Sequence, residues 1–307
     1  MKEISYHKVY PFSEYDIKEM FKKMKECLIS GQLTNGKYVR KLEEKIKNIY
    51  DIDYCIATTN CSLGLFLCYQ FFNWLKPIHL PNFTWISVDL ITEGLFKLYH
   101  DIDLDTWLMK NIPSYGIISP NHTFGNICNI RTKNKEKIIF DGAHALMSKI
   151  DFFGDATVFS LAPTKLITSC EGGIIVTNNK ELAKFVSERR TKIARMSELH
   201  AIVGITTLKY INEIRNKKKE IYNAYSNSIP GKFQYIEKSS NYNTIGFLNT
   251  DNLKIPPSIQ TKQYYFPLKK EQCPNSWDVY SKMVCLPSWY DVDYSLIIEK
   301  ILEYNNI

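Results

Sequence analysis

Lys165 closes the stretch Ser160-Leu161-Ala162-Pro163-Thr164-Lys165, and Glu171-Gly172-Gly173 follows a few residues on. A lysine taken at random is a solvated surface residue. Here residues 156–160 form a continuous apolar run that reads as a buried strand, and Pro163 ends it. Lys165 would then stand at the carboxyl edge of a sheet, where open α/β folds bind ligands. A lysine partly withdrawn from water has a lowered pKa and can act as nucleophile and proton carrier.

Other residues could work with it. Asp141 ends a second apolar run, Lys137–Asp141. After a strand such a residue is either a helix N-cap or a buried acid in need of a cationic partner. Residues 59–65, Thr-Asn-Cys-Ser-Leu-Gly-Leu, open a helix after the first apolar run. Their free backbone N–H groups, at Cys61 above all, suit a phosphate, and the hydroxyls of Ser62 and Ser160 would add to them. Trp85 follows another strand end and is either core or the cover of a flat ring. His144 lies three residues beyond Asp141, as a satisfied core histidine or as a donor to a ligand oxygen. An amine able to condense with an aldehyde, a carboxylate and small hydroxyls at chain turns are what pyridoxal phosphate (PLP) asks of a protein. In that case Asp141 keeps the pyridine nitrogen protonated, Trp85 stacks on the ring and His144 faces its phenolic oxygen. No residues with metal-ligand spacing accompany them.

Positioning these groups requires a sheet. Seven apolar runs lie between residues 54 and 177: 54–58, 78–80, 95–100, 116–119, 137–141, 156–160 and 173–177. Most are continuous rather than alternating, as in strands covered on both faces. They predict a three-layer α/β domain with a mainly parallel seven-stranded sheet. Two amphipathic helices, over 13–29 (ending near Gly31) and 38–50, precede the sheet, with a turn at Leu33 to Lys37 between them. One long helix is expected from Ser197 to residue 229. Short strands at 233–236 and 244–248, a proline-rich stretch and a last helix from Tyr294 to Tyr304 would complete a smaller α+β unit. The predicted division is 1–205 for the large domain and 206–307 for the small one.

Composition agrees with a globular enzyme-sized chain: 307 residues, 45% hydrophobic and 23% charged. No apolar run reaches membrane-span length, and the first residues lack an apolar signal region, so a cytoplasmic location is expected. The eight cysteines form no CxxC pair and read as reduced, buried thiols. The net charge of +7 is spread in small clusters such as Lys217-Lys218-Lys219, read as a solvated helix face. Such a bias suits an anionic small ligand, and no zinc finger or aromatic RNA-binding signature accompanies it.

Taken in order, these segments resemble the DegT/DnrJ/EryC1/StrS family of PLP-dependent sugar aminotransferases. Phe159 to Lys165 with Glu171-Gly172-Gly173 is similar to the family's PLP-lysine motif. Asp141-Gly142-Ala143-His144-Ala145 is similar to its pyridine-nitrogen motif, 59–65 to its phosphate loop and 81–85 to its ring-stacking segment. Gly31 to Gly36 with Glu43, Pro120 to Gly125, Arg195 to Ala201 and 261–268 also match in order. The resemblance implies the aspartate aminotransferase (PLP-dependent transferase type I) fold and a homodimer with active sites at its interface. It implies L-glutamate as amino donor and a nucleotide-linked keto sugar as acceptor, the product serving a surface polysaccharide or glycoside. A cyclitol or other ketone as acceptor, or a non-catalytic PLP-binding regulator of the same fold, are the alternatives. Cys61 replaces the usual loop glycine, Ser62 the usual threonine, and Ile193 an asparagine that reaches the partner's phosphate. Lys165 itself argues against the dehydratase branch, which carries histidine there.

Overall fold

The computed structural model describes residues 3–72, 76–111, 113–130, 137–238, 240–269 and 271–307. Its central sheet is built from the seven apolar runs: β1 Tyr54–Thr58, β2 Ile78–Pro81, β3 Lys97–His100, β4 Ile117–Ile118, β5 Lys137–Asp141, β6 Ala156–Ser160 and β7 Gly173–Thr177. Their order across the sheet is β1-β7-β6-β5-β4-β2-β3. Alternate residues of one run feed opposite faces. Ala57, Phe159, Ile174 and Val176 pack into one hydrophobic cluster, whereas Ile56, Val158 and Ile175 pack into another. Both clusters are buried, which is why the runs are continuous in sequence rather than alternating.

Helices α1 Glu14–Ser30 and α2 Lys37–Tyr50 cover the first face together with α6 Glu198–Leu208. Helices α3 Cys61–Phe71 and α5 Lys180–Ile193 cover the second, and the short α4 Ile86–Leu90 follows β2. Helix α3 lies close on the sheet because Gly64 has no side chain. A Cβ there would stand 2.7 Å from Val158 Cγ1.

The sheet is parallel from β6 through β3, but β7 runs antiparallel to both β1 and β6. The segment between β6 and β7 carries Lys165 and holds no helix to make a crossover, so the chain returns as a wide hairpin. Strands β1, β5 and β6 therefore end at one edge of the sheet, with Gly173 paired to Thr58 on one side and Ser160 on the other.

The single helix expected from Ser197 is instead two, α6 and α7 Ile211–Ser228, separated by a turn at Lys209-Tyr210. Local and distant groups both make the break. Thr206 and Thr207 turn their hydroxyls back onto the carbonyls of Ile202 and Val203, a bond that bends helices. Asp16 then holds Lys209 Nζ at 2.8 Å and accepts from the Tyr210 hydroxyl, fixing the turn against α1.

Beyond α7 a three-stranded antiparallel sheet forms, β8 Lys232–Phe233, β9 Ile245–Leu248 and β10 Met283–Leu286, in the order β10-β9-β8. Strand β8 is shorter than the expected 233–236. Helix α8 Pro274–Lys282 occupies part of the stretch read as turns, and α9 Tyr294–Tyr304 closes the chain. Ile221 and Tyr225 of α7 share a hydrophobic cluster with Phe247, Leu286, Ile297 and Ile301. The N-terminal segment crosses to this part of the molecule: Ser258 accepts from Ile4 N at 2.7 Å, and Ile4 accepts from Gln260 N at 2.9 Å.

Candidate active site

At the shared carboxyl edge of β1, β5 and β6 lies a cavity of about 460 Å³. Lys165, Asp141, Ser160, Cys61, Ser62, Trp85 and His144 all line it. They arrive from five separate segments. Asp141 and Ser160 end β5 and β6, Cys61 and Ser62 begin α3, Trp85 precedes α4, His144 follows β5 by three residues, and Lys165 stands in the hairpin.

The hairpin is held at several points. Lys165 N donates to Ala162 O, Leu161 N to Gly172 O, Ser169 N to Leu161 O, and Leu166 N to Asn243 Oδ1 at 2.8 Å. These bonds fix the backbone on both sides of Lys165. Burial is the main force on its amine and lowers its pKa to about 8, although the Asp141 carboxylate pulls the other way. The amine is thus partly neutral near neutral pH, the form that attacks a carbonyl.

Asp141 is buried, and its Oδ1 accepts from Ala143 N at 2.9 Å. Among the described residues no other hydrogen bond reaches this carboxylate. Burial raises its pKa, with the Ala143 N–H and Lys165 opposing. An acid so placed favours a cationic partner such as a protonated ring nitrogen.

Asn60 caps α3, its Oδ1 accepting from Leu63 N at 2.8 Å while its carbonyl accepts from Gly64 N. That leaves the N–H groups of Cys61 and Ser62 without acceptors among the described residues, and they point out of the helix start. Ser62 Oγ donates to Ser87 Oγ at 2.8 Å, and Ser160 Oγ accepts from Ala162 N at 3.3 Å. The Cys61 side chain is turned down into the sheet, with Sγ 3.6 Å from Val158 O. The substitution of cysteine for glycine thus fills core space and leaves the amide at the mouth of the helix. Burial, aided by Asp141, holds that thiol well above its usual pKa, so it is no nucleophile here.

His144 stacks on Phe124, with ring centroids 5.7 Å apart, and the Tyr265 hydroxyl lies 3.2 Å from Nδ1. Burial, then Lys165 and Lys218, push its pKa well below 6.5, so the imidazole is neutral. Trp85 is 53% exposed and meets Tyr264 and Tyr265 edge-on, so it has room to meet a ring inside the cavity. Ile193, at the end of α5, is exposed and is not part of this wall.

Tyr265, Tyr6, His7 and Lys218 are among the wall residues that sequence reasoning missed. Tyr265 comes from 261–268, matched as a segment without a site role. Tyr6 and His7 come from the N-terminal strap. Lys218, on α7, was read as part of a solvated cluster. Lys218 is in fact 9% exposed, with Nζ 2.9 Å from both Asn243 O and Ser288 Oγ.

The donor set fits PLP. Two unpaired amides and two hydroxyls stand ready for a phosphate, a half-satisfied buried carboxylate for a ring nitrogen, and a partly neutral amine for an aldehyde. Among the described residues, no group of three or more His, Cys, Asp or Glu could hold a metal, and no helix is long and apolar enough to cross a membrane.

Comparison with known proteins gives the same direction. A dTDP-4-amino-4,6-dideoxy-D-glucose transaminase from Shigella dysenteriae is 24% identical over 335 residues, covering 88% of this chain and 89% of that protein. GDP-perosamine synthase from Escherichia coli O157:H7 is 26% identical over 252 residues, 70% of this chain and 69% of that one. The structure of PseC from Helicobacter pylori, an aminotransferase, superposes with a TM-score of 0.87 at 18% identity, over 99% of each chain. The family model for DegT/DnrJ/EryC1/StrS aminotransferases matches residues 14–241. With that match over most of its length, and with a lysine, a carboxylate and the start of a helix around one cavity, the chain belongs to the DegT/DnrJ/EryC1/StrS family and is a PLP-dependent aminotransferase.

Proposed function

We propose that this aminotransferase moves an amino group from L-glutamate to a nucleotide-linked keto sugar, giving an amino sugar for a surface polysaccharide or glycoside. The observation that carries the chemistry is Lys165, an amine of lowered pKa on the wall of a cavity that also holds Asp141. The two relatives described above are named for amino sugars carried on dTDP and GDP, which favours the same class of acceptor. A formal charge of +7 suits a substrate with a diphosphate.

PLP, when bound, supplies an electron-accepting ring that lets an amino group pass between carbon skeletons. The protein does the rest. Lys165 Nζ would hold the aldehyde and stands where it could move a proton to or from the substrate carbon. Asp141 would keep the ring nitrogen protonated. The amide of Cys61 and the hydroxyls of Ser62 and Ser160 would hold the phosphate, Trp85 would cover the ring, and His144 would face its oxygen.

The same reading includes a homodimer. Helix α1 exposes Phe21, Leu28 and Ile29, and an apolar groove lined by Phe12, Met20 and Met24 runs to Pro163 beside the Lys165 turn. An interface there would cover this face and border the cavity.

The test is a screen of nucleotide-linked keto sugars with L-glutamate, read by the mass change from ketone to amine. Turnover of at least one such sugar is expected. Failure of every sugar beside turnover of a cyclitol ketone would overturn the acceptor class.

A further inference from the structure

Lys218 is a buried amine with no acid beside it among the described residues. Among the described residues its Nζ is bonded only to a carbonyl and a hydroxyl, those of Asn243 and Ser288. Among the described residues no carboxylate pairs with it. When the amine is protonated, two neutral acceptors leave its third N–H donor free, and a buried charge is costly unless it is paired.

Its position is also defined. Asn243 links it to the reaction centre, since the same residue accepts from Lys218 through its carbonyl and from Leu166 N through its side chain. His7 and His144 both feel Lys218 and Lys165 together, so the two lysines face one volume. His7 brings in an Nε2 that is buried and has no hydrogen-bond partner. The cavity therefore has an amine at its chemical centre, with a second cation and an unpaired imidazole nitrogen close by.

We propose that Lys218, assisted by His7, binds the carboxylate of the amino donor and sets the enzyme's preference for amino-acid donors. This rests on the aminotransferase reading above. The reacting nitrogen of an amino acid is one carbon from its carboxylate, so that carboxylate must lie within a few bonds of Lys165 Nζ. The diphosphate of a nucleotide sugar is separated from the reacting carbonyl by the sugar ring and has no such constraint. Burial lowers the pKa of Lys218 to about 7, and an arriving carboxylate would hold it protonated.

The experiment uses PLP-loaded protein and 2-oxoglutarate, which binds as a dicarboxylate but cannot donate an amine. Its dissociation constant is measured by calorimetry for wild type, Lys218→Gln and Lys218→Arg. Gln can still bond to the neutral acceptors but carries no charge. Lys218→Gln should weaken binding roughly 30-fold or more, and Lys218→Arg should recover most of it. The L-glutamate concentration that half-bleaches the cofactor absorbance should rise in parallel, while a primary amine lacking a carboxylate should react equally with all three. A UDP competitor should bind all three alike.

Unchanged 2-oxoglutarate binding in Lys218→Gln overturns the proposal, and so does a loss confined to UDP. Should Lys218→Gln fail to fold, wild-type protein decides by trace acetylation. Lys218 must be labelled, and saturating 2-oxoglutarate must protect it. A Lys218 that no small reagent reaches, or that 2-oxoglutarate leaves unprotected, also overturns the proposal. A wild-type enzyme whose absorbance ignores L-glutamate would refute glutamate as donor instead, a result separate from the binding constants.

Discussion

Lys165 in the cofactor-free protein should titrate near 8 rather than at the 10.5 of an ordinary lysine. The cause is burial in the cavity wall, and the effect is on the supply of neutral amine. At pH 7.5 a group of pKa about 8 is roughly one-quarter neutral, against about one part in a thousand at 10.5, an advantage of roughly 200-fold. Competitive trace acetylation across pH 6 to 11, followed by peptide mapping, reads this site by site. Labelling of Lys165 should reach half its plateau near pH 8. Asp141 is the strongest force holding the value up, so Asp141→Asn should move the midpoint lower. The wild-type midpoint separates two accounts of the lysine, since removing the carboxylate lowers it in both. If Lys165 were above all the ion-pair partner of Asp141, its midpoint would lie at or above 10.5 and Asp141→Asn would release it toward that value. A wild-type midpoint above 10 would refute burial as the controlling term, and a rise in Asp141→Asn would refute Asp141 as the force holding the value up. Linkage gives an independent check: the unfolded chain holds a proton that the folded one has lost between about pH 8 and 10.5, so this group makes stability increase with pH across that window.

Other substitutions test the frame around the site. Gly173→Ala would place a Cβ 2.4 Å from Asn60 O, the carbonyl that receives Gly64 N and the Thr58 hydroxyl, so the start of α3 must shift. Chemical denaturation should show a loss of about 1–3 kcal/mol, and PLP affinity should fall with it. Glu198 lies 162 residues from Gly36 and accepts from the N–H groups of Gly36, Tyr38 and Val39 at 2.7, 2.8 and 3.1 Å. Glu198→Ala should cost roughly 3 kcal/mol or more in a urea titration, because buried helix-start donors lose their acceptor. Ser160→Ala and Ser62→Ala should each weaken PLP binding about tenfold by fluorescence titration, the worth of one hydrogen bond to a charged oxygen.

What was legible in the sequence was what local pattern encodes. The seven sheet strands are apolar runs bounded by turn residues, and nothing distant is needed to make them extended. The Lys165 turn carried its own punctuation in Pro163 and Gly172. Helix α8 was not legible in that way. Pro274-Asn275-Ser276 reads as a turn, yet proline is at home in a first helical turn, and the cap comes from far away. Asp101 accepts from the backbone of Asn275 and Ser276 and from the Ser276 hydroxyl, 174 and 175 residues off in sequence. The break between α6 and α7 had the same kind of cause in Asp16. The strap that brings Tyr6 and His7 to the cavity depends on Ile4 pairing with Ile259, which no window around residue 4 could reveal.

Lys218 is a different kind of miss, because its signal was present. The buried residues of α7 are Ile211, Ile214, Lys218, Ile221 and Tyr225, spaced three, four, three and four apart. That is the apolar stripe of an amphipathic helix, with a lysine in the middle of it. Reading Lys217-Lys218-Lys219 as a charge cluster treated three consecutive residues as one face, although neighbours on a helix point about 100° apart. Helical phase separates them: Lys217 reaches Glu220 on the exposed side, whereas Lys218 points inward and meets no acid among the described residues. A charged residue that interrupts an otherwise apolar stripe costs stability unless something charged eventually pairs with it. Burial answers that cost in part by lowering the pKa of Lys218 to about 7, and the cavity that Lys218 shares with Lys165 is where a substrate carboxylate could pair with the protonated form.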